Sequence, residues 1–310
     1  MESMKKIKPV GGQAVIEGVM MRSPERVSTA VRRKNGKILV KSEDYTSLTK
    51  RYKALGWPIL RGVVVFLETL IMGIKALNFS ADVALQEDDE EYSPKKRRRS
   101  NNLILGGTLL LAVGLGLVVF FFVPLLLVSL VESKLNPLLF NLMVGLVRIG
   151  FFIAYVWLIS LFGELRRIFE YHGAEHKSIF VYEAGEELTA ENALKYSTKH
   201  PRCGTSFLFI VAILAILVFV FGDTFFVYLY GHLPTLPQRL VYHLLLIPLI
   251  AGGSYELLRL TGKRRGLLVS LLSAPGLWLQ RITTREPSPE QLEVAMVALK
   301  ESLSIPLTDD

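Results

Sequence analysis

The run Leu103–Val131, LILGGTLLLAVGLGLVVFFFVPLLLVSLV, contains no charged residue. About 20 predominantly apolar residues are enough for a helix to cross the roughly 30 Å hydrocarbon core of a bilayer. Three later runs reach a similar length with at most one charged residue each, and they are Pro137–Phe162, Thr205–Leu229 and Leu240–Leu258. The sequence therefore predicts a mainly α membrane protein with about four transmembrane helices.

The composition agrees with a membrane protein and excludes several other classes. Hydrophobic residues make up 51% of the 310 positions, charged residues 21%, and the mean hydropathy is +0.38. A disordered chain, a collagen-like fibre and a disulfide scaffold are all excluded, since Cys203 is the single cysteine and no glycine repeat occurs. The start Met1–Lys8 is charged without a following apolar stretch, so membrane insertion is expected to depend on internal spans.

The basic residues predict the orientation of the spans, because cytoplasmic flanks collect lysine and arginine. They cluster at 95–99 before the first span, at 166–202 between the second and third spans, and at 259–265 after the fourth. The connections at 132–136 and 231–239 carry one basic residue each. Both termini and the middle segment are therefore expected in the cytoplasm of a multi-pass membrane protein. These flanks account for the net charge of +8. Membrane lipid is therefore the expected partner, and nucleic acid is not expected to bind.

Two further apolar stretches do not match a full span. In 57–86, Arg61, Glu68 and Lys75 recur every seven residues, which places them on one stripe of an interfacial amphipathic helix. The stretch Gly266–Leu279 is too short to cross, and interfacial, re-entrant and internally packed placements all stay open.

The remaining segments are predicted to lie outside the bilayer. An Asn35–Gly36 pair between two β-type runs is typical of a hairpin, and Gly11 and Gly12 favour tight turns over a phosphate loop. Ser288 and Gln291 have the spacing of a capping box that begins a terminal helix. The predicted organisation is a β-rich unit (1–56), the interfacial helix (57–86), a charged linker (87–101), spans one and two (102–163), a His/Cys segment (164–203), spans three and four (204–259) and a C-terminal segment (260–310). The N- and C-terminal segments are also candidate surfaces for protein partners.

The His/Cys segment contains the strongest chemical pattern. His172, Glu175 and His176 lie at i, i+3 and i+4, on one face of a helix, in the order H-x-x-E-H. Two imidazoles one turn apart can ligate one metal ion, and an adjacent carboxylate can take a proton from water. His200 and Cys203, at the start of span three, are candidate third and fourth ligands. With thiolate and imidazole ligands, zinc is the favoured metal.

Other charged residues are assigned less specific roles. Lys177 and Arg202 are candidates to bind an anionic substrate group, and Glu256 is an additional candidate ligand or base. A structural interpretation stays open, in which the histidines bond to lipid phosphate and Glu175 pairs with Lys177, Arg167 or Arg202. Within the spans, Arg148 and Asp223 are expected to pair with each other, whereas His232 and His243 are expected near an interface.

Several of these stretches together resemble the YqhQ-like family of bacterial membrane proteins. The resemblance is carried by Gly12–Arg22, Pro58–Gly62, Glu170–Lys177, His200–Phe207 and Pro275–Gln280, and it covers nearly the whole chain. The family is of unknown function and is often labelled a predicted metal-dependent enzyme. The resemblance implies a membrane protein of bacterial origin with several spans, and it names no reaction.

Two functions follow as hypotheses. The first is a zinc-dependent hydrolase at the cytoplasmic membrane face, acting on a lipid headgroup or a membrane-attached substrate, with Glu175 as general base. The second is a non-enzymatic membrane scaffold or assembly factor in which a metal clamps the helices together. An open coordination position favours the enzyme, and a closed site with four protein ligands favours the clamp.

Overall fold

The computed structural model describes residues 7–85, 100–131, 136–261 and 267–306. Most of the predicted charged linker, including the basic cluster at 95–99, lies outside these residues. The described chain forms a bundle of long apolar helices and a smaller unit of sheet and helices at one end of that bundle. We call this smaller part the globular unit.

A four-stranded antiparallel sheet opens the globular unit, with strands in sequence order. Arg32 pairs with Ile38 across the Asn35–Gly36 turn, and Gly36 has a φ of 83°, which a residue without Cβ adopts without strain. The predicted hairpin is therefore confirmed. The strands are β1 (Gly11–Val15), β2 (Gly18–Arg22), β3 (Arg26–Arg32) and β4 (Ile38–Asp44).

One long helix connects the sheet with the bundle. The short α1 (Leu48–Arg51) and a 3₁₀ turn (Lys53–Gly56) lead into α2 (Leu60–Leu85). The last turns of α2 bury Ala76, Phe79 and Val83 against one face of the sheet. The first turns run beside the last of the long apolar helices.

The predicted four spans are found as four helices that are long and apolar enough to cross a membrane. The first is formed by α3 (Ser100–Leu117), a π-helical turn (Val118–Phe122) and α4 (Val123–Val131). The others are α5 (Pro137–Ile159), α8 (Gly204–Tyr230) and α9 (Leu236–Thr261). Their outward side chains are apolar and exposed, as expected for helices solvated by lipid.

The other helices complete the globular unit. They are α6 (Gly163–Ala184), α7 (Ala190–Leu194), α10 (Leu267–Thr283) and α11 (Pro289–Leu303). The predicted capping box of Ser288 and Gln291 is present at the start of α11. Its buried face packs Leu292, Ala295 and Leu299 into a core shared with α6 and the sheet. The helix α10 packs along α8 and keeps Leu271 and Trp278 exposed, and its placement relative to a membrane stays a prediction.

The buried charges of the spans pair differently from the sequence prediction. Asp223 accepts hydrogen bonds from Asn141 Nδ2 at 2.8 Å and Arg239 Nε at 3.0 Å, and its Oδ1 lies 3.3 Å from His243 Nε2. Arg148 instead lies over the Phe121 ring and donates to the Phe121 carbonyl. The predicted Arg148–Asp223 pair was therefore wrong. His243, which was expected near an interface, has a fully buried ring in this cluster.

Two of the three charges of the predicted stripe of α2 face the protein, whereas Lys75 is exposed. Arg61 forms an ion pair with Glu256 of α9, and Glu68 accepts from Tyr45, Ser47 and the Leu48 amide. The opposite face is apolar and exposed. An ordinary surface helix has the reverse arrangement, with its polar face in water.

Candidate metal centre

The H-x-x-E-H residues lie on α6, in the globular unit. The helix of the second span ends at Ile159, and a turn separates it from α6, which begins at Gly163. The helix α6 is thus separate from the second span, and it packs against both the sheet and α11 in their shared core. His172, Glu175 and His176 consequently face inward, and His176 and Glu175 are almost fully buried.

Backbone carbonyls fix the orientation of two imidazoles. Nδ1 of His172 lies 2.8 Å from the Thr283 carbonyl oxygen, and Nδ1 of His176 lies 2.5 Å from the Thr198 carbonyl oxygen. A carbonyl only accepts, so Nδ1 carries the proton in each ring. Each Nε2 therefore keeps its lone pair free, which is the tautomer that a metal-ligating histidine needs.

Cys203 completes a set of three donor atoms. Its Sγ lies 3.3 Å from Nε2 of His172, and the candidate ligand atoms of His172, His176 and Cys203 all lie within 4.8 Å of one another. Nε2 of His176 is buried without a hydrogen-bond partner among the described residues. An orphaned lone pair of this kind is costly unless a ligand satisfies it. The donor set of two imidazoles and one thiolate suits zinc.

His200 lies next to this group but is oriented differently. Its Nδ1 accepts from the Arg202 amide at 3.3 Å, so the proton of the neutral ring lies on Nε2. That Nε2 is 3.6 Å from a Glu183 carboxylate oxygen, beyond hydrogen-bonding distance. Gln280 of α10 holds the His200 backbone through both its amide and its carbonyl. The structure thus brings His200 to the site without directing a lone pair at the three donors.

Glu175 is the buried carboxyl group of the site. Desolvation raises its pKa above the ordinary value, whereas the nearby His172 and His200 and a backbone hydrogen bond from Gly12 act in the opposite direction. The cations that were candidate partners for Glu175 pair with other carboxylates, namely Arg167 with Glu17, Arg202 with Glu183, and Lys177 with Glu286. The structure therefore does not pair Glu175 with any of these three cations.

A cavity of about 750 Å³ opens onto these residues. His172, Glu175, His176 and Cys203 lie on its wall together with Gly12 of β1. This volume is in the range of small-molecule sites, which are commonly 300–1,000 Å³. Burial lowers the pKa of His176, against an opposing contribution from Cys203, and so favours the neutral ring that a metal ligand needs.

Comparisons with known proteins show which family this chain belongs to. Residues 57–305 match the family model described as "Protein of unknown function (DUF1385)". The chain belongs to this family. It is also 34% identical to the "Uncharacterized protein YqhQ" of Bacillus subtilis (strain 168), over 98% of this chain and 95% of that protein. No solved structure matches.

The structure separates the predicted site residues into two groups. It brings His172, His176, His200 and Cys203 together, with Glu175 and Arg202 on the wall of the same cavity. Lys177 is buried against Glu286 and the Leu194 carbonyl, away from that wall, and Glu256 is paired with Arg61.

Sequence reasoning missed the groups that orient the imidazoles. The carbonyls of Thr198 and Thr283 carry no side-chain signature, so no motif predicts them. Gln280, in contrast, lies in one of the stretches that carry the family resemblance, and a buried amide near the end of an apolar helix was a signal that could have been used.

Proposed function

We propose that this protein is a zinc-dependent hydrolase of the bacterial cell membrane, with its site on the cytoplasmic face. The observation that carries the proposal is the convergence of three oriented donor atoms on the wall of a large cavity. His172, His176 and Cys203 would hold the metal. Three protein ligands leave an open position, as catalytic zinc sites do.

Each residue of the site has a distinct role in this proposal. A zinc ion held by these residues would supply a Lewis acid and would lower the pKa of bound water toward about 7. Glu175 takes a proton from the attacking water and returns it to the leaving group, and its raised pKa suits both steps. Thr198 and Thr283 keep the imidazoles in the ligating tautomer. Arg202, on the cavity wall, faces the anionic part of a substrate.

Metal content tests the proposal directly. The full-length protein is purified in detergent without chelators, and zinc is measured by elemental analysis. We expect about one zinc per chain in the wild type and loss of most of it in His176→Ala and Cys203→Ala. His232→Ala is the matched control, because His232 is exposed at the other end of the bundle. Zinc-free wild-type protein would contradict the proposal.

Two further variants separate ligand roles from catalytic roles. Glu175→Gln should retain zinc and lose hydrolytic activity, since the amide cannot accept the proton. His200→Gln should also retain zinc, because His200 uses its Nδ1 lone pair on the Arg202 amide. Loss of zinc in His200→Gln would indicate a closed site with four ligands. That result would favour the membrane scaffold with a structural metal clamp.

A further inference from the structure

We infer that the site takes an amphiphile with an anionic headgroup, which enters sideways from the membrane between α2 and the start of α8. This inference rests on the proposed function, because it names the substrate class of the same cavity. Three features carry it: the composition of the cavity wall, the depth at which α2 lies, and the arginines beside the entrance.

The cavity wall joins the metal-site residues to residues of the bundle. Leu208 lies at the start of the third candidate span, and Thr69 and Met72 belong to α2. The same cavity includes His172 and Cys203. One continuous space therefore extends from the donor atoms to the start of α8 and the middle of α2.

The first turns of α2 lie at membrane depth. A Cβ on Gly62 would meet the Gly252 backbone of α9 at 2.7–2.8 Å, so the two helices are in direct contact there. Gly252 lies eight residues before Leu260, the end of the fourth candidate span, which is about 12 Å along a helix with a rise of 1.5 Å per residue. Phe66, one turn later, contacts the ring of Phe207, the first residue of the third span.

The outward face of this part of α2 is apolar. Leu67 is 49% exposed and Leu70 50%, and the charged neighbours Arg61 and Glu68 pair with other elements of the protein. Lipid is the occupant that fits this face, because the same helix contacts α9 within its membrane span. A smaller cavity of about 270 Å³ lies on the same helix and shares Gln13 and Thr69 with the larger one. Acyl chains can therefore reach the site along α2 without passing through water.

Two arginines give the cavity its preference for an anion. Arg22 of β2 and Arg202 both line it, Arg202 also pairs with Glu183 outside the described wall, and Glu175 is the carboxylate on that wall. Arg22 donates to Thr69 Oγ1 at 3.3 Å and to the Tyr45 hydroxyl at 2.9 Å, and Tyr45 in turn donates to Glu68. Both direct partners of Arg22 are neutral hydroxyls. The guanidinium is thus held at the membrane side of the cavity by neutral hydroxyls, with the Glu68 carboxylate behind Tyr45 as its nearby counter-charge, and it can donate to a headgroup.

Binding of a short-chain anionic lipid tests the inference. The full-length protein, treated with chelator, is placed in phosphatidylcholine nanodiscs and titrated with dioctanoyl phosphatidate. We expect saturable binding that weakens about tenfold in Arg22→Gln and in Arg202→Gln, since each loses a charge-assisted hydrogen bond. Arg26→Gln is the matched control on the same sheet, where Arg26 pairs with an exposed Asp44, and its affinity should be unchanged. Thermal unfolding of each variant checks that it is folded.

Two further titrations distinguish an anionic lipid from an uncharged lipid and from free phosphate as the ligand. Dioctanoylglycerol, which lacks the charge, should bind at least tenfold more weakly, and inorganic phosphate should not compete at equal concentration. Equal binding of the uncharged lipid, or equal competition by phosphate, would overturn the inference. The assay uses metal-free protein and needs no turnover, so the two proposals can fail separately. A protein that binds the amphiphile but holds no zinc would contradict only the hydrolase. A protein that holds zinc but does not bind the amphiphile would contradict only this inference.

The entrance itself is tested by lipid quenching. Cys203→Ser leaves a cysteine-free chain, into which Leu67→Cys or Leu194→Cys is introduced and labelled with a fluorophore. Spin-labelled phosphatidylcholine should quench the label on α2 strongly. The label on α7, a comparably exposed site in the globular unit, should be quenched weakly. Equal weak quenching at both positions would place the face of α2 outside the bilayer and overturn the lateral route.

Discussion

Gly12 illustrates how a single backbone position determines where a reactive side chain lies. A Cβ at this position would stand 2.7 Å from the Met20 carbonyl oxygen and 2.9 Å from both Cγ and Cδ of Glu175. Real Cβ atoms do not approach other atoms so closely, so either the β1–β2 pairing or the carboxyl group must move. The absence of a side chain at residue 12 therefore helps to define the position of Glu175.

We expect Gly12→Ala to lower the free energy of unfolding by about 1–3 kcal/mol, as for other overpacked sites. Denaturant unfolding of the detergent-solubilised protein measures this change. Gly11→Ala is the matched control, because a Cβ on Gly11 meets no atom within 4 Å. A Gly12→Ala protein as stable as the Gly11→Ala protein would show that Glu175 is free to move aside.

At the same scale, the sequence predicted part of the site for a physical reason. His172, Glu175 and His176 are close in the chain, so helical geometry alone places them on one face. The lone-pair directions depend instead on Thr198 and Thr283, which approach α6 only when the chain folds. Tautomers are set by such distant carbonyls, and the different role of His200 could not be predicted from spacing.

Among the elements, α5, α8 and α9 are held together by the buried Asp223 cluster. Asp223 is fully buried, and its partner Arg239 is also buried and lies over the Phe140 ring. Removing one member of a buried pair leaves the other charge without compensation. We expect Asp223→Asn to lower the free energy of unfolding by about 3–5 kcal/mol, which denaturant titration in detergent would detect.

The control for this prediction is an exposed ion pair of the same protein. Arg26 and Asp44 are paired at 3.4 Å, with Asp44 91% exposed, so Arg26→Gln should change stability by less than about 1 kcal/mol. If Asp223→Asn cost no more than this control, the cluster would not join the helices. The sequence analysis predicted Arg148 as the partner of Asp223. In the structure the partners are Arg239 and His243, which lie four residues apart on one helix.

The contact between α2 and α9 depends on two small residues. A Cβ on Gly62 would lie 2.7 Å from the Gly252 carbonyl oxygen, and that neighbour is backbone that cannot rotate away. We expect Gly62→Ala to destabilise the protein by about 1–3 kcal/mol, measured by denaturant unfolding in detergent. Gly150→Ala in α5 is the matched control, and there open space allows a gain of about 0.5–1 kcal/mol. Equal effects of both changes would contradict close packing of α2 on α9.

The elements differ in how well the sequence predicted them, for the same physical reason. Each span is specified by its own apolar run, and the hairpin and the α11 cap are specified by residues within one turn. The direction in which α2 turns its charges depends on Glu256 and Tyr45, which belong to other elements. An isolated helix with that pattern is expected to turn its charged face to water. The charged face turns toward the protein only because these other elements supply partners for Arg61 and Glu68.

At the scale of the whole molecule, the site is assembled from both ends of the chain. Gly12 comes from the first strand, His172 and His176 from α6, Cys203 from the start of α8, and Thr283 from the end of α10. The first strand and α10 reach the same site only because the long helices return the chain twice to the same end of the bundle. The membrane bundle thus positions the site, and the site must lie on whichever side of the membrane the globular unit occupies.

That side is predicted from the basic flanks, and cysteine labelling tests it. In a Cys203→Ser background, His232→Cys lies between α8 and α9 at the opposite end from the globular unit, whereas Leu194→Cys lies on α7. A membrane-impermeant maleimide added to intact cells should label the cysteine at 232 and should reach the one at 194 only after permeabilisation. Labelling of the cysteine at 194 in intact cells would place the His/Cys site outside the cytoplasm. The reducing environment that keeps a lone Cys203 available as a thiolate ligand would then be absent, and the zinc site proposed here would lose its chemical basis.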